Sequence, residues 1–430
     1  MKLTKNWFSP AVLFLITWVL AHVAAYLGPK EEIYSINGFQ TTFTLEGSIW
    51  FLLATSIFLM GVQVANKKEI YIELPLLESV SSEQSRKISH LTIIVFYFIG
   101  SALLFILLYW TTLAVREVGS ISRFVQLTHE QWHIIRRVWP DQRPFVGGRL
   151  AYTALISVVI FATAGLVQLN SQTYSSQSEK RRHYITLRGL LIIGLVPLMA
   201  LPLVVSQRLL LGTALIGSLT IFAVGGNSGL SIKYPLGGIT AGFGVWTLQE
   251  SVRIGLSTGG LIESFNYGTS RILFYFSNNV GNMHRGVAFI SERSYGFESF
   301  QFIFEYLFIS DFVRNNYMQA YYSAAEPYRG GGTFTGLGIP YLDFGIFGLI
   351  IIFIWGYTSQ YLFLKASDNI LALQLYGLFA ASIVLSWHAA IWRGPSFWLN
   401  IGILIIVPLT TALYKRHLGV TKYDASQVNS

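Results

Sequence analysis

The chain has 430 residues, of which 53% are hydrophobic and only 12% are charged. Its apolar residues are gathered into blocks close to the length that a bilayer core requires, which excludes an ordinary soluble domain. The absence of cysteine excludes disulfides, thiolate nucleophiles and cysteine-ligated metals. The formal net charge of +9 is not gathered in a compact basic domain, so it indicates membrane topology rather than nucleic-acid binding.

The apolar blocks predict an all-α polytopic membrane protein with about ten membrane helices, give or take two. The first block follows Lys2 and Lys5 and is long for a secretory signal, so it predicts an uncleaved signal anchor. In chain order, the predicted helices are 8–27, 47–65, 91–113, 149–168, 188–206, 209–225, 234–249, 338–361, 370–388 and 397–414.

The positions of the basic residues predict the orientation of these helices. Basic clusters follow the second, fourth and last helices, which places these loops and both termini in the cytoplasm. The clusters consist of Lys67, Lys68, Arg86, Lys87, Lys180, Arg181, Arg182, Arg188, Lys415 and Arg416.

This orientation divides the chain into four parts. The first part contains the N-terminal membrane helices, 1–249, with an external loop at 114–148. The second part is a large periplasmic loop, 250–337. The C-terminal membrane helices, 338–414, and a polar cytoplasmic tail, 415–430, follow it. The large loop contains two apolar runs, 272–276 and 300–309, that are too short to cross a bilayer. We therefore predict short re-entrant or interfacial helices that cap a cavity.

Arginine and lysine are distributed unequally between the two predicted sides of the membrane. The cytoplasmic segments hold ten lysines and five arginines, whereas the external segments hold one lysine and fourteen arginines. The planar arginine fork binds phosphate in a bidentate manner, whereas lysine is a hydrated point charge. The bias therefore indicates a phosphate-bearing ligand outside, such as a polyprenyl diphosphate sugar or a lipid head group. The alternative is ordinary surface salt bridges with the external acidic residues Glu250, Glu263, Glu292, Glu298, Glu305, Asp311 and Glu326.

An HExxH pattern, formed by His129, Glu130 and His133, lies in the first external loop. Imidazoles four residues apart share one helix face and can hold zinc, with the glutamate as general base. The chain nearby offers no third ligand, although a distant residue such as Asp343 could complete a site. The alternative, which we favour, is an amphipathic helix at the membrane surface with Trp132 as its anchor. We therefore predict no metal site.

The segment 330–363, GGGTFTGLGIPYLDFGIFGLIIIFIWGYTSQYLF, resembles the C-terminal signature of the oligosaccharide repeat unit polymerases, the O-antigen polymerase family. It combines a Thr/Gly-rich loop, the sequence Leu-Asp-Phe-Gly and a glycine-punctuated membrane helix. Trp392, Arg393 and Gly394, in a short external loop, extend the resemblance. An arginine and a glycine with ten residues between them are described for the two large external loops of this family. The same spacing joins Arg136 to Gly147, Arg137 to Gly148 and Arg285 to Gly296.

The resemblance implies a metal-independent glycosyltransferase without a cofactor, located in a bacterial inner membrane with its active site facing the periplasm. Its substrate would be an undecaprenyl-diphosphate-linked oligosaccharide. The growing glycan of one lipid would be transferred onto a new lipid-linked unit of O-antigen or a related surface polysaccharide. The implied partners are the bilayer and a polysaccharide chain-length regulator, with no nucleic acid.

Such a transfer requires charge neutralisation on the leaving diphosphate and a general base for the acceptor hydroxyl. For the diphosphate we predict first Arg271, Arg285 and Arg393, and then Arg136, Arg137 and Arg208. For the base we predict His284, Glu305 or Asp343, with His129, His133, Glu250 and Asp311 as further candidates. Aromatic residues of the large loop offer stacking surfaces for sugars: Phe276, Tyr306, Tyr321, Tyr322 and Tyr328.

Two of these site residues have structural alternatives. Asp343 falls in the first turn of a helix opened by Pro340, where a carboxylate satisfies free backbone N–H groups. Arg393 could instead stack on Trp392 or Trp398 through a cation–π interaction.

Four other functions compete with polymerisation. They are an O-antigen ligase-like glycan transfer, a flippase or transporter of lipid-linked oligosaccharide, a membrane metalloprotease based on the HExxH pattern, and a structural scaffold. A transporter is expected to carry ionisable residues inside several helices, whereas His22 is the main ionisable residue inside the predicted ones. A scaffold leaves the external arginine bias unexplained.

Overall fold

The computed structural model describes residues 2–3, 5–28, 43–67, 89–123, 146–169, 177–205, 208–226, 230–231, 261–329 and 333–417, together with the single positions 237, 240, 244 and 247. The helices are α1 (Pro10–Leu27), α2 (Leu45–Asn66), α3 (His90–Val118), α4 (Val146–Leu169), α5 (Gln177–Val205), α6 (Arg208–Gly225), α7 (Leu261–Phe289), α8 (Gln301–Tyr306), α9 (Ser310–Tyr317), α10 (Gln319–Arg329), α11 (Gly338–Phe344), α12 (Gly348–Lys365), α13 (Ile370–Val384) and α14 (Pro395–His417). Single 3₁₀ turns occupy Lys5–Phe8, Gly345–Phe347 and Ile391–Arg393. One antiparallel pair of two-residue strands joins β1 (Lys2–Leu3) to β2 (Leu230–Ser231).

The predicted all-α class is confirmed. Every predicted apolar block falls on a helix except 234–249, which lies outside the described residues apart from four single positions. Within the described residues, seven helices are long and apolar enough to cross a membrane, and two further apolar helices, Leu209–Gly225 and Ile370–Val384, are shorter. This architecture is consistent with an α-helical membrane protein.

The outer surface of the helices is apolar, which suits contact with lipid. Large hydrophobic side chains are exposed on the long helices, among them Val19, Leu52, Phe98, Phe105, Ile192 and Val196. The central helix is α4, because 89% of its most apolar 18-residue stretch is buried inside the protein. Asn400 of α14 is hydrogen-bonded to this helix through the backbone N–H of Ser157 (2.7 Å) and the carbonyl of Thr153 (3.2 Å). Such polar contacts hold helices together where the lipid provides no hydrophobic driving force.

Glycines allow α2 and α12 to pack closely against each other. A side chain at Gly61 would collide with the carbonyl of Phe353, and one at Gly356 would collide with the carbonyl of Phe58. Small residues let two backbones approach in this way in membrane proteins. The glycines of the 330–363 segment therefore contribute to packing.

The prediction of one continuous helix at 338–361 is wrong, because this helix is interrupted. α11 ends at Phe344, Gly345 adopts φ +57°, and α12 begins at Gly348 after one 3₁₀ turn. Gly345 adopts this left-handed conformation without the steric penalty that a Cβ atom imposes. Gly348 packs directly on the carbonyl of Pro340.

The prediction of a short re-entrant or interfacial helix at 272–276 is also wrong. These residues lie in the middle of α7, a helix of 29 residues. Polar residues that separate its apolar positions concealed the length of this helix. The second apolar run does form a short helix, α8, which covers Gln301–Tyr306.

Candidate functional site

The C-terminal half of α7 carries a buried polar surface. The side chains of Ser277, Asn278, Asn279, Asn282, His284 and Arg285 are at most 1% exposed. Ser277 Oγ donates to the carbonyl of Ala25 at 3.1 Å, and Val280 packs in an apolar cluster with Ala21 and Ala25. This half of α7 therefore lies against the C-terminal end of α1.

Among the described arginines that were predicted to bind diphosphate, Arg285 is the most deeply buried. Its Nη2 donates to Asn282 Oδ1 at 2.6 Å, one turn back on the same helix. Gly281 makes room for the guanidinium, since a Cβ atom there would lie 2.8 Å from Arg285 Nη1. Burial lowers the pKa of Arg285 to about 10, so the group stays protonated at neutral pH. A cation in such surroundings interacts strongly with an anion because little water screens it.

Asn279 connects α7 to the Thr/Gly-rich loop of the 330–363 segment. Its Oδ1 accepts the backbone N–H of Thr333 at 3.1 Å, and its Nδ2 lies 3.0 Å from His388 Nδ1. The hydroxyl of Thr333 donates to the carbonyl of His388. One asparagine thus joins α7, the start of the 333–344 segment and the turn after α13.

Asp343 organises the loop that precedes α8. Its two carboxylate oxygens accept the hydroxyl of Ser294 and the backbone N–H groups of Glu298 (3.2 Å) and Ser299 (2.6 Å). Gly296 turns this loop with φ +91°. The predicted capping of its own helix by Asp343 is therefore wrong, because the carboxylate bonds to amides of a different segment.

Glu298 pairs with Arg393. Arg393 Nη1 and Glu298 Oε2 form an ion pair, and Tyr322 donates its hydroxyl to Glu298 Oε1 at 2.9 Å. Trp398 stacks on Phe302 with ring centroids 4.6 Å apart. Arg393 therefore pairs with a carboxylate, whereas cation–π stacking on Trp392 or Trp398 had been its structural alternative.

Three features that are far apart in the sequence meet here. Gly296 turns the loop, Asp343 holds the amides of that loop, and the loop presents Glu298 to Arg393. Gly296 of the arginine–glycine spacing, Asp343 of the Leu-Asp-Phe-Gly sequence and Arg393 of the Trp-Arg-Gly sequence thus contribute to one polar cluster.

His284 points towards α1 and α2. Its Nδ1 lies 3.4 Å from both the backbone N and the carbonyl of Thr44, and Thr44 Oγ1 donates to the carbonyl of His284 at 3.0 Å. Burial, with a smaller contribution from His22, lowers the pKa of His284 to about 4. The imidazole is therefore neutral at pH 7, and a neutral imidazole can act as a proton acceptor.

Two further predicted site residues contact neighbours on their own helices. Arg271 is half-buried over the rings of Phe274 (4.5 Å) and Tyr275 (5.5 Å). It lies fourteen residues before Arg285 on α7, which is roughly 21 Å along the axis, too far for both to bind the same diphosphate. Glu305 accepts a hydrogen bond from its helical neighbour Gln301 at 2.5 Å.

Several predictions concern residues beyond the structural description. Arg208 is the first residue of α6, and its side chain is not described. Arg136, Arg137, His129, Glu130, His133 and Glu250 lie outside the described residues. Within the described residues, no group of three or more His, Asp or Glu side chains could hold a metal ion.

No family model, curated protein or solved structure matches this chain. The site must therefore be interpreted from its own chemistry. Sequence reasoning assigned Glu298 and Tyr322 only to surface pairing and stacking, and it noted His22 only as an exception among apolar helices. His22 was the detectable signal, since an ionisable residue inside an apolar helix is expected to have a specific partner.

Proposed function

We propose that this protein is a membrane glycosyltransferase that polymerises undecaprenyl-diphosphate-linked oligosaccharide units at the periplasmic face of a bacterial inner membrane. The observation that carries the proposal is Arg285, a protonated guanidinium buried among amide side chains of α7. Its fork geometry suits the leaving diphosphate, which needs charge neutralisation in the transition state.

A general base completes the chemistry. Asp343 uses both oxygens to hold backbone amides, and Glu305 bonds to Gln301. His284 is the best placed of the three candidates, because it is neutral at pH 7 and its Nε2 has no hydrogen-bond partner within the described residues. Arg285 follows it in the chain, so one turn of α7 holds both the base and the diphosphate ligand.

The test is reconstitution of the purified protein in liposomes with undecaprenyl-diphosphate-linked repeat units. The expected product is a ladder of elongated lipid-linked glycans on a gel. Arg285→Lys keeps the charge but loses the fork, and we expect it to lower the elongation rate about tenfold or more. Arg314→Lys is the matched control, because Arg314 is a partly exposed arginine paired with Asp311 at 3.7 Å on α9.

The outcomes separate the competing functions. Wild-type protein that forms no lipid-linked ladder rules out polymerisation. Transfer of glycan to lipid A core, but never to a second lipid-linked unit, indicates a ligase. Movement of intact lipid-linked units across the bilayer, with no new glycosidic bond, indicates a flippase.

A further inference from the structure

His22 of α1 and His284 of α7 lie side by side. Their ring centroids are 5.7 Å apart and their planes are inclined by 71°. Phe51 lies 4.0 Å from the His22 ring, and Phe43 lies 5.0 Å from the His284 ring. Two imidazoles thus meet between aromatic walls, near the end of α1 that is predicted to face outwards.

The hydrogen bonds of the two rings define what they can offer to a ligand. His22 Nδ1 lies 2.9 Å from the carbonyl of Trp18, which only accepts, so Nδ1 carries the proton and Nε2 carries the lone pair. His284 Nδ1 faces both the N–H and the carbonyl of Thr44 at 3.4 Å. In the tautomer that donates Nδ1–H to the Thr44 carbonyl, His284 Nε2 also carries a lone pair.

Both Nε2 atoms are buried and lack a hydrogen-bond partner within the described residues. Buried polar atoms in proteins are normally hydrogen-bonded, and exceptions call for a functional explanation. Two such exceptions in contact with each other indicate that the partner is a ligand. The lone pair of an imidazole nitrogen accepts a hydrogen bond from an O–H or N–H group or binds a metal ion, and hydroxyl groups are such donors.

We propose that His22 and His284 bind neighbouring hydroxyl groups of the acceptor sugar, an inference that rests on the glycosyltransferase function proposed above. A sugar ring carries adjacent hydroxyls that can donate to two adjacent nitrogens. The rings of Phe43 and Phe51 supply the apolar surface on which the faces of sugars commonly stack. The described residues around the pair provide no third histidine or carboxylate for a metal ion.

The two histidines have different tasks in the transfer. One acceptor hydroxyl bonds through its oxygen to the anomeric carbon of the donor and gives its proton to His284 Nε2. The bond from that carbon to the diphosphate breaks, and the electron pair leaves with the diphosphate. The neighbouring hydroxyl donates to His22 Nε2 throughout, so His22 binds and orients the sugar without taking a proton.

The experiment measures KM and kcat separately in the reconstituted protein. A lipid-linked single repeat unit is the varied acceptor, and a labelled, already elongated lipid-linked glycan is the fixed donor. His22→Phe removes the acceptor nitrogen and should raise KM about tenfold with kcat within about twofold, whereas His22→Gln retains an acceptor and should restore KM. His284→Gln retains hydrogen bonding but not basicity, so it should lower kcat about 100-fold or more with little change in KM.

A matched control comes from a second histidine pair. His90 and His183 bond to each other at 3.1 Å, so His90→Phe should leave the acceptor KM unchanged. An unchanged KM in folded His22→Phe overturns the proposal, as does a defect in His22→Gln equal to that of His22→Phe. Stoichiometric zinc that is lost in both His22→Phe and His284→Gln also overturns it, because the lone pairs would then be metal ligands. If wild-type protein binds the lipid-linked unit through His22 but forms no glycosidic bond, the binding site stands and the polymerase function fails.

Discussion

Asp343 Oδ2 accepts the backbone N–H of Ser299 at 2.6 Å, across a sequence separation of 44 residues. This bond and the neighbouring bond to the N–H of Glu298 hold the loop before α8 against α11. The loop in turn places the Glu298 carboxylate on Arg393. An acidic residue of the C-terminal segment thus determines where an arginine between α13 and α14 finds its partner.

Replacement of Asp343 by Asn should loosen this loop. An amide presents one accepting oxygen in place of two, so at least one of the three donors around it loses its acceptor. We expect the free energy of unfolding to fall by about 2–3 kcal/mol, measured by thermal or denaturant unfolding in detergent. Asp311→Asn is the control, because the Asp311 side chain is 90% exposed, and it should have almost no effect. An equally stable Asp343→Asn protein would contradict the structural role.

The coupling between Glu298 and Arg393 can be measured with a double-mutant cycle. Glu298→Gln alone leaves the largely buried guanidinium of Arg393 without its counter-charge. Arg393→Gln alone leaves the buried carboxylate of Glu298 without its counter-charge. We expect the double variant to be more stable than the sum of the two single losses predicts, with an interaction free energy of about 1–3 kcal/mol. Additive losses would show that the ion pair contributes nothing specific.

Gly281→Ala should impair the proposed transferase by way of Arg285. The added methyl group meets Nη1 of a flexible side chain rather than backbone, so the guanidinium shifts while the helix remains intact. We expect elongation to fall several-fold in the liposome assay, with the unfolding midpoint unchanged or slightly raised because alanine favours helix. Gly402→Ala is the control, since nothing lies within 4 Å of a Cβ atom there. Full activity of Gly281→Ala would show that the elongation rate does not depend on the position of the Arg285 guanidinium.

Stability should depend on pH through His284. Its pKa is about 4 in the folded protein and near 6.5 when unfolded, so between these values the unfolded chain binds the extra proton. Stability is therefore fully present above pH 6.5 and is lost as the pH falls towards 4, by about 3 kcal/mol. The charged and titratable neighbours that oppose protonation of the ring are His22 and Arg285.

The check is the unfolding midpoint in detergent between pH 4 and 7. His284→Gln should lose this part of the pH dependence, whereas His90→Phe should retain it. An identical pH profile for wild type and His284→Gln would show that His284 is not buried in its neutral form.

The sequence by itself determined the parts of this protein that depend on local composition. Apolar blocks of membrane-spanning length predicted the helices, because the bilayer demands a continuous apolar stretch whatever packs beside it. Residue chemistry together with the family resemblance selected Arg285, Arg393, Asp343 and His284 as candidates, and the apolar pattern showed His22 as an ionisable residue in an apolar helix. It did not predict the length of α7, whose polar residues face the protein interior and so interrupt the apolar pattern.

Only the tertiary structure decided the partners of these residues. Nothing within a few positions of Glu298 indicates that it meets Arg393, 95 residues away, or that His22 meets His284 across 262 residues of chain. The capping of its own helix, considered as an alternative for Asp343, is wrong for the same reason, since the amides that its carboxylate accepts belong to residues 298 and 299. Hydrogen bonds and ion pairs form between atoms that packing brings within about 3 Å, and that packing depends on every helix at once.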